Sequence, residues 1–196
     1  MNNLTLNDQL EVSASIFNLL STAFYEAITD EKLKVFTECF HNFPLLDEKS
    51  KLSIDAIIND FTNESLHEIK SDFNNMFIGG PHKTVYPWGS FYTDKDRLLF
   101  GESTRDWKKF TEKNQIKIEL NGNEPSDHFA LIFASIAAIM TSKKSESIRI
   151  ELVSIIINEH LFPWLPIVLD GIYTHSNTFF YKELSLISSR LILYWK

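Results

Sequence analysis

Three ionisable side chains crowd into one short segment, residues 123–128, which reads Asn-Glu-Pro-Ser-Asp-His. Proline suits the first turn of a helix, so we expect Asn123 or Glu124 to cap a helix that continues past His128. Carboxylates in such a first turn gain about 0.3–1 kcal/mol each from the helix dipole. Capping accounts for a single acid, so the grouping of Glu124, Asp127 and His128 leaves a recognition role and a capping role both open.

The chemistry that suits two carboxylates beside aromatic rings is the binding of a guanidinium group. Arginine pairs bidentately with carboxylates and stacks on the faces of Trp and Tyr. Aromatic rings are concentrated in residues 79–104, which hold four of the six glycines and two of the six prolines. A long irregular segment is usually functional or disordered, and aromatic content argues against disorder. We predict an ordered binding loop, with a loop that only closes the core as the alternative.

A third cluster, residues 160–164, reads His-Leu-Phe-Pro-Trp. Its two interpretations are a corner between helices that is packed by Trp164 and a surface that contacts a ligand. The sequence leaves both open.

Other kinds of site fit the sequence poorly. No two of the six histidines stand three or four residues apart, as helix-borne metal ligands would. Ser90, Asp127 and His128 supply the residue types of a hydrolase, but the Gly-x-Ser-x-Gly motif around the nucleophile is missing. A phosphate loop is disfavoured because Pro81 has no backbone N–H to offer. We therefore expect no catalytic residues, no metal and no cofactor.

The composition of the 196 residues sets the broad class of protein. The net charge of −7 and a pI near 5.4 disfavour nucleic acid and suit a basic peptide partner. Cys39 is the only cysteine, as expected in a reducing compartment. The N-terminus has no signal-peptide pattern, and the longest apolar run, residues 129–140, is shorter than the roughly 20 residues that span a bilayer. We expect a cytoplasmic protein without stable membrane insertion.

Helical periodicity runs through most of the chain and must position these clusters. We predict an all-α, single-domain bundle of about eight to ten helices over residues 1–196, with the Gly/Pro/aromatic loop between them. Residues 129–140 are apolar on every side and should form the buried centre, whereas residues 116–120 should be extended. Further predicted features are an N-cap at Asn63, a capping box from Ser103 to Asp106, and apolar stripes that include Leu10, Ala14, Phe17, Phe24 and Ile28; Ile148, Leu152, Ile155 and Ile156; and Phe180, Leu184, Ile187, Leu191 and Tyr194.

The clusters, taken together in this order, resemble the TorD/DmsD family of chaperones that mature molybdopterin oxidoreductases, and most closely its DmsD branch of twin-arginine leader-binding proteins. The similarity covers about residue 73 to the C-terminus. The motifs that carry it are Met76-Phe77-Ile78-Gly79, Pro87-Trp88-Gly89-Ser90, residues 98–104, residues 123–129 and His160-Leu161-Phe162-Pro163-Trp164.

The resemblance implies an all-helical chaperone, without catalytic activity, that binds the leader of a reductase's catalytic subunit. Such a leader carries paired arginines followed by an apolar stretch. The implied client is dimethyl sulfoxide reductase, assembled in the cytoplasm before Tat export, with Tat translocase components as further candidate partners. The alternatives are a chaperone for a trimethylamine N-oxide or nitrate reductase and, from another class, a small hydrolase that uses Ser90.

Roles within the predicted site follow partly from chemistry and partly from similarity. We expect Glu124 and Asp127 to meet the arginines, and Trp88, Tyr92 and Trp164 to line a groove for the apolar part. By similarity, hot spots for leader binding fall on Phe73, Phe77, Pro87, Trp88, Pro125, Asp127 and His128. The complete predicted leader-binding site comprises Phe73, Phe77, Pro87, Trp88, Gly89, Ser90, Tyr92, Glu124, Pro125, Asp127, His128, His160 and Trp164.

Three departures from the family pattern bear on the shape of the groove. Phe73 stands where DmsD proteins carry tryptophan, and Tyr86 replaces the first of two prolines before Trp88. The Gly-Pro pair of the preceding loop is displaced by one residue, to Gly80-Pro81. These changes leave the identity of the preferred leader open.

Overall fold

The computed structural model describes residues 4–41, 48–60, 66–79, 83–120 and 122–196. Within these ranges the chain forms ten α-helices and no β-strand, which confirms the predicted all-α fold. π-helical segments, Asn74–Ile78 and Ile156–Leu161, directly continue α4 and α8. The α-helices are α1 Leu6–Tyr25, α2 Asp30–His41, α3 Glu48–Asp60, α4 Leu66–Phe73, α5 Gly89–Thr93, α6 Glu102–Asn114, α7 Phe129–Met140, α8 Glu146–Ile155, α9 Leu165–His175 and α10 Phe179–Trp195.

Helices α1 and α7 pack against each other at the centre of the fold. The Phe17 and Phe133 rings lie 5.3 Å apart and the Phe24 and Phe129 rings 5.1 Å apart, measured between centroids. Nearly all of α7 is buried, as its apolar sequence predicts, and each large side chain of this kind contributes roughly 1.5–3 kcal/mol on burial. Leu10, Ala14, Phe17 and Phe24 of the predicted stripe are buried on α1, all at most 1% exposed. Ile28 is also buried, but it lies beyond the end of α1 at Tyr25, so the predicted helical stripe extends too far.

A buried carboxylate joins the end of α4 to the start of α10. Asp72 is 2% exposed and accepts hydrogen bonds from the Ser176 hydroxyl at 2.6 Å and from the backbone N–H groups of Asn177 and Thr178, each at 3.0 Å. It therefore serves the N-terminus of α10 from outside that helix. Because Phe73 is the next residue and the last of α4, the same bonds also fix the end of α4.

The predicted start of α7 is wrong. The N-cap is His128, whose Nδ1 accepts a hydrogen bond from the Ala130 N–H at 3.2 Å, and neither Asn123 nor Glu124 caps this helix. The segment before it instead pairs its backbone with residues 87–89. Glu124 and Asp127 therefore lie outside the first turn of α7.

Other local predictions have mixed outcomes. The capping box at Ser103 is wrong, because α6 begins at Glu102 with Gly101 as an N-cap that makes no side-chain hydrogen bond. Residues 116–120 have no regular secondary structure, as expected. Ile148 and Tyr194 are 45% and 40% exposed, so the predicted stripes on α8 and α10 extend too far. The predicted N-cap Asn63 and the loop residues 80–82 lie outside the described ranges.

On length and composition, no single helix of the described residues is long and apolar enough to cross a membrane. One bent pair, Glu146–Leu161 with Leu165–His175, would pass the same test, and its two parts meet at 67°.

Candidate functional site

Two irregular segments cross beside the N-terminus of α7 and form the frame of the site. Trp88 and His128 pair as an isolated antiparallel β-bridge. On one side of this bridge the Phe129 N–H donates to the Pro87 carbonyl at 2.9 Å. The pairing suits proline, which has a carbonyl to accept with but no N–H to donate. The crossing brings together two of the sequence clusters, about 40 residues apart.

A buried carboxylate holds this crossing together. Asp127 is 0% exposed, and its Oδ2 accepts from the Ser90 N–H at 2.7 Å while its Oδ1 accepts from the Thr104 hydroxyl at 2.8 Å. Its backbone carbonyl accepts from the Gly89 N–H at 3.2 Å. Hydrogen bonds to a charged group contribute about 1.5–3 kcal/mol each. We call these four residues the buried joint, since they connect α5 and α6 to the start of α7.

Gly89 is required in the joint because no side chain fits there. A Cβ at this position would lie 2.6 Å from Cε2 of Trp164 and 2.7 Å from Oγ of Ser103. The Ser103 side chain thus packs at the joint, whereas the N-cap position of α6 falls to Gly101.

One face of the crossing opens into a cavity of about 150 Å³, which we call the aromatic pocket. Sites for drug-sized molecules measure about 300–1,000 Å³, so this pocket is sized for one side chain. Its wall is formed by Phe24, Tyr25, Phe73, Phe77, Ile78, Pro87, Trp88, Glu124 and His128.

The aromatic pocket offers one carboxylate, and one of its wall residues has a buried donor without a partner. Glu124 is half-buried, and its Oε1 accepts a hydrogen bond from the Tyr25 hydroxyl. Its Oε2 accepts no hydrogen bond from the described residues. The Trp88 indole N–H is buried and likewise has no acceptor in this part of the chain. A ligand with a cationic donor would satisfy the second oxygen of Glu124, whereas the indole N–H, which has almost no accessible surface, is out of reach of a ligand in this conformation.

His128 is kept neutral by its surroundings. It is 5% exposed, and burial, with a smaller effect from the Lys83 charge, lowers its pKa to about 3. Because Nδ1 accepts from the Ala130 N–H, the single ring proton sits on Nε2. The Tyr25 and Trp88 rings stand edge-on to it, at 5.2 and 5.7 Å between centroids. The ring therefore adds no positive charge that would repel a bound cation.

A second cavity, of about 370 Å³, lies beside α5 and contains His160 and Trp164. We call it the acidic cavity because Glu102, Asp106 and Glu159 line it together with Thr93, Ser103 and Pro163. Burial lowers the pKa of His160, although the carboxylates of Glu159 and Asp106 oppose this shift. Trp164 is 1% exposed and its indole N–H donates to the His160 carbonyl at 2.6 Å, so it mainly packs the corner.

The structure therefore divides the predicted site residues among three places. The aromatic pocket contains Phe73, Phe77, Pro87, Trp88, Glu124 and His128. Gly89, Ser90 and Asp127 belong to the buried joint, and Pro125 is buried in the segment leading to it. His160 and Trp164 line the acidic cavity, and Tyr92 stacks on Trp164 with the centroids 6.3 Å apart.

Three residues of the aromatic pocket were missed: Phe24, Tyr25 and Ile78. Ile78 directly follows Phe77 in a motif already singled out, and its 62% exposure marks it as an unpaired apolar side chain. Phe24 was assigned to the core alone. No local signal points to Tyr25, because its partner Glu124 is 99 residues away.

The hydrolase alternative is not assembled. The Ser90 hydroxyl is buried without a hydrogen-bond partner among the described residues, and Nδ1 of His128 is occupied by the Ala130 N–H. A nucleophile needs a base within hydrogen-bond reach. Asp127 orients the Ser90 backbone rather than the histidine.

Comparison with known proteins gives matches over most of the chain. The family model described as nitrate reductase delta subunit matches residues 44–170. The Tat proofreading chaperone DmsD of Salmonella typhi is 28% identical over 151 residues, which are 77% of this chain and 70% of that protein. The chaperone protein TorD of Aliivibrio salmonicida is 31% identical over 180 residues, 82% of each chain. A probable Tat proofreading chaperone DmsD of Haemophilus influenzae is 25% identical over 185 residues, 91% of this chain and 87% of that protein.

Proposed function

This chain belongs to the nitrate reductase delta subunit family, which includes the TorD and DmsD chaperones, and on that premise we propose that it binds the twin-arginine leader of a molybdoenzyme. The relatives are named as chaperones rather than enzymes, which supports binding without a catalytic reaction. Its proposed role is to hold the leader while the catalytic subunit matures.

The observation that carries this proposal is the convergence of Trp88, Glu124 and His128 on one small pocket. A guanidinium there would pair with the Glu124 carboxylate and lie against an aromatic face. Because His128 is neutral, it does not compensate the negative charge of Glu124.

Asp127 takes part in this proposal as a positioning residue rather than as the arginine's partner. Both of its carboxylate oxygens already accept hydrogen bonds, and none of its surface is exposed. Its contribution is to hold the segments of Trp88 and Glu124 in register. Loss of Asp127 would therefore weaken leader binding through the shape of the pocket.

Tyr92, His160 and Trp164 lie at or beside the acidic cavity. His160 and Trp164 line it and Tyr92 stacks on Trp164. Of its three carboxylates, Asp106 is paired with Lys109 at 3.1 Å, so Glu102 and Glu159 supply the negative field. A negative field raises the local concentration of cations. We assign the second basic group of the leader to this side, and the leader's apolar part to Ile78 and Phe77 at the aromatic pocket.

The client we propose is dimethyl sulfoxide reductase, with binding in the cytoplasm before Tat export. Three relatives carry the name Tat proofreading chaperone DmsD, which supports this client and pathway. We propose Tat translocase components as further partners. TorD relatives and the family description keep trimethylamine N-oxide and nitrate reductases as second candidates. Competition among the three leader peptides for the purified protein decides between them.

Calorimetry with a synthetic peptide that carries Arg-Arg and an apolar stretch tests the site. Glu124→Gln keeps the shape of the side chain and removes its charge, so we expect affinity to fall about tenfold, the least that a charge-assisted pair contributes. Changing both arginines of the peptide to lysine should weaken binding to the wild type. The matched control is Glu119→Gln, an exposed acid outside both cavities, with unchanged affinity. The assigned site would be contradicted if Glu124→Gln bound the Arg-Arg peptide as tightly as the wild type does and the wild type bound both peptides equally.

A further inference from the structure

A lysine of the protein itself lies on the aromatic rings at the site. The Lys83 ammonium lies 4.5 Å from the centroid of the Tyr86 ring and 4.6 Å from that of the Trp88 ring. Both distances are within the roughly 6 Å range of a cation–π interaction. One cation is thus shared between two ring faces.

This cation has no anionic partner among the described residues. The ion pairs of the described residues are made by Lys32, Lys108 and Lys109. No carboxylate in the described part of the chain lies within ion-pair distance of Lys83. Partial burial lowers the pKa of Lys83, as expected for an ammonium group that loses water without gaining a carboxylate. The aromatic faces are its main compensation.

The ammonium also lies next to the aromatic pocket. Trp88 is part of the pocket wall, and the Lys83 charge is close enough to His128 to contribute to lowering the pKa of that histidine. Lys83 is not itself part of the pocket wall, but it covers a face of the Trp88 ring, which is. A second cation cannot use the same ring face while Lys83 stays there.

We propose that Lys83 is a built-in competitor that occupies the cation position over Trp88 until a leader arginine displaces it. This inference rests on the proposed function and adds an autoinhibitory contact to the leader site. The contact lowers affinity for every cationic peptide by the same factor, because each must first release Lys83. A weakly basic peptide would then bind too weakly to displace Lys83.

Arginine is suited to displace this lysine for three physical reasons. Its planar guanidinium stacks on aromatic faces, is less strongly hydrated than an ammonium, and can form two parallel hydrogen bonds with one carboxylate. Glu124 supplies that carboxylate at the same pocket, whereas Lys83 has none. The released ammonium regains full hydration.

Substitutions at Lys83 test the inference in both directions. Lys83→Met keeps an unbranched side chain without the charge, so we expect the Arg-Arg peptide and its Lys-Lys version to bind about tenfold more tightly, by similar factors. Lys83→Arg should stack more strongly and bind both peptides more weakly than the wild type. Lys182→Met is the matched control, because Lys182 makes a similar contact with the Phe179 ring, at 5.8 Å, and lines neither cavity.

The outcomes separate this inference from the function on which it rests. Affinity in the order Lys83→Met, wild type, Lys83→Arg supports it, provided that the gain persists at about 0.5 M salt, where simple charge repulsion is screened. If the wild type binds the peptide and Lys83→Met binds it equally or more weakly, the inference is overturned and leader binding stands. If neither protein binds, the proposed function is overturned together with it.

Discussion

Glu124 and Asp127 stand three residues apart in one segment, but they belong to regions of opposite character. Asp127 lies in the buried joint, where both carboxylate oxygens accept hydrogen bonds and nothing is exposed. Glu124 lies half-buried in the aromatic pocket, with one oxygen bonded to Tyr25. One carboxylate is satisfied by the fold and the other still has bonding capacity for a ligand.

On the proposed function, the two carboxylates of this short motif have different roles: Asp127 positions a loop and Glu124 binds the ligand. A carboxylate that positions a loop must be saturated, because a buried charge without partners is strongly unfavourable. A carboxylate that binds a ligand must keep an accessible oxygen that can still accept a hydrogen bond. Substitutions in the two regions should therefore separate stability from binding, whereas equal effects would contradict the division.

The largest effect is expected from Asp127→Ala. It removes the acceptor of the Ser90 N–H and of the Thr104 hydroxyl, both in buried residues, and should lower the free energy of unfolding by about 3 kcal/mol. Urea unfolding measures this loss, with Glu124→Ala as the comparison variant. A smaller loss for Asp127→Ala than for Glu124→Ala would reverse the assignment of the two carboxylates.

The next effect is expected from Gly89→Ala. The added methyl group would meet Trp164 and Ser103 at distances below 3 Å, so the joint must open, at a cost of about 2 kcal/mol in the free energy of unfolding. Gly122→Ala is a useful contrast, because that glycine has nothing within 4 Å but adopts a positive φ of 93°. Steric crowding predicts that adding Ser103→Ala restores part of the stability of Gly89→Ala; no recovery would argue against it.

The smallest effect is expected on the pH dependence of stability and comes from His128. This residue follows Asp127 of the buried joint, pairs with Trp88 in the β-bridge and lines the aromatic pocket. Its pKa is about 3 in the fold and 6.5 ordinarily. Between these values the unfolded chain binds a proton that the folded chain does not, so this contribution to stability is complete above pH 6.5 and is lost towards pH 3. His128→Asn keeps a good N-cap residue and cannot titrate.

From pH 7.5 to pH 5.5 the wild type should therefore lose about 1.4 kcal/mol more stability than His128→Asn. Urea unfolding of both proteins at the two pH values measures the difference. If both proteins lost the same amount of stability, His128 would gain its proton as readily in the folded protein as in the unfolded one. The claim that His128 is neutral in the fold would then be wrong.

The sequence predicted the helices better than the boundaries near the site. The apolar run that forms α7 and the stripe Leu10, Ala14, Phe17 can be found from periodicity because burial of one helix face repeats locally. The start of α7 could not, since residues that read as a helix cap are drawn into backbone pairing with residues 87–89. A pairing between distant segments leaves no periodic signal at either one.

Composition and spacing alone determined that the chain is all-α and that a guanidinium suits its acidic and aromatic clusters. The family was indicated separately, by the resemblance of its motifs. Only the tertiary structure decided which of the two carboxylates keeps an oxygen without a hydrogen bond. The partners of Asp127 stand 37 and 23 residues away in the chain, and the partner of Glu124 stands 99 residues away. Helix formation depends on neighbours within a few turns, but the exposure of a carboxylate depends on which distant segments fold against it.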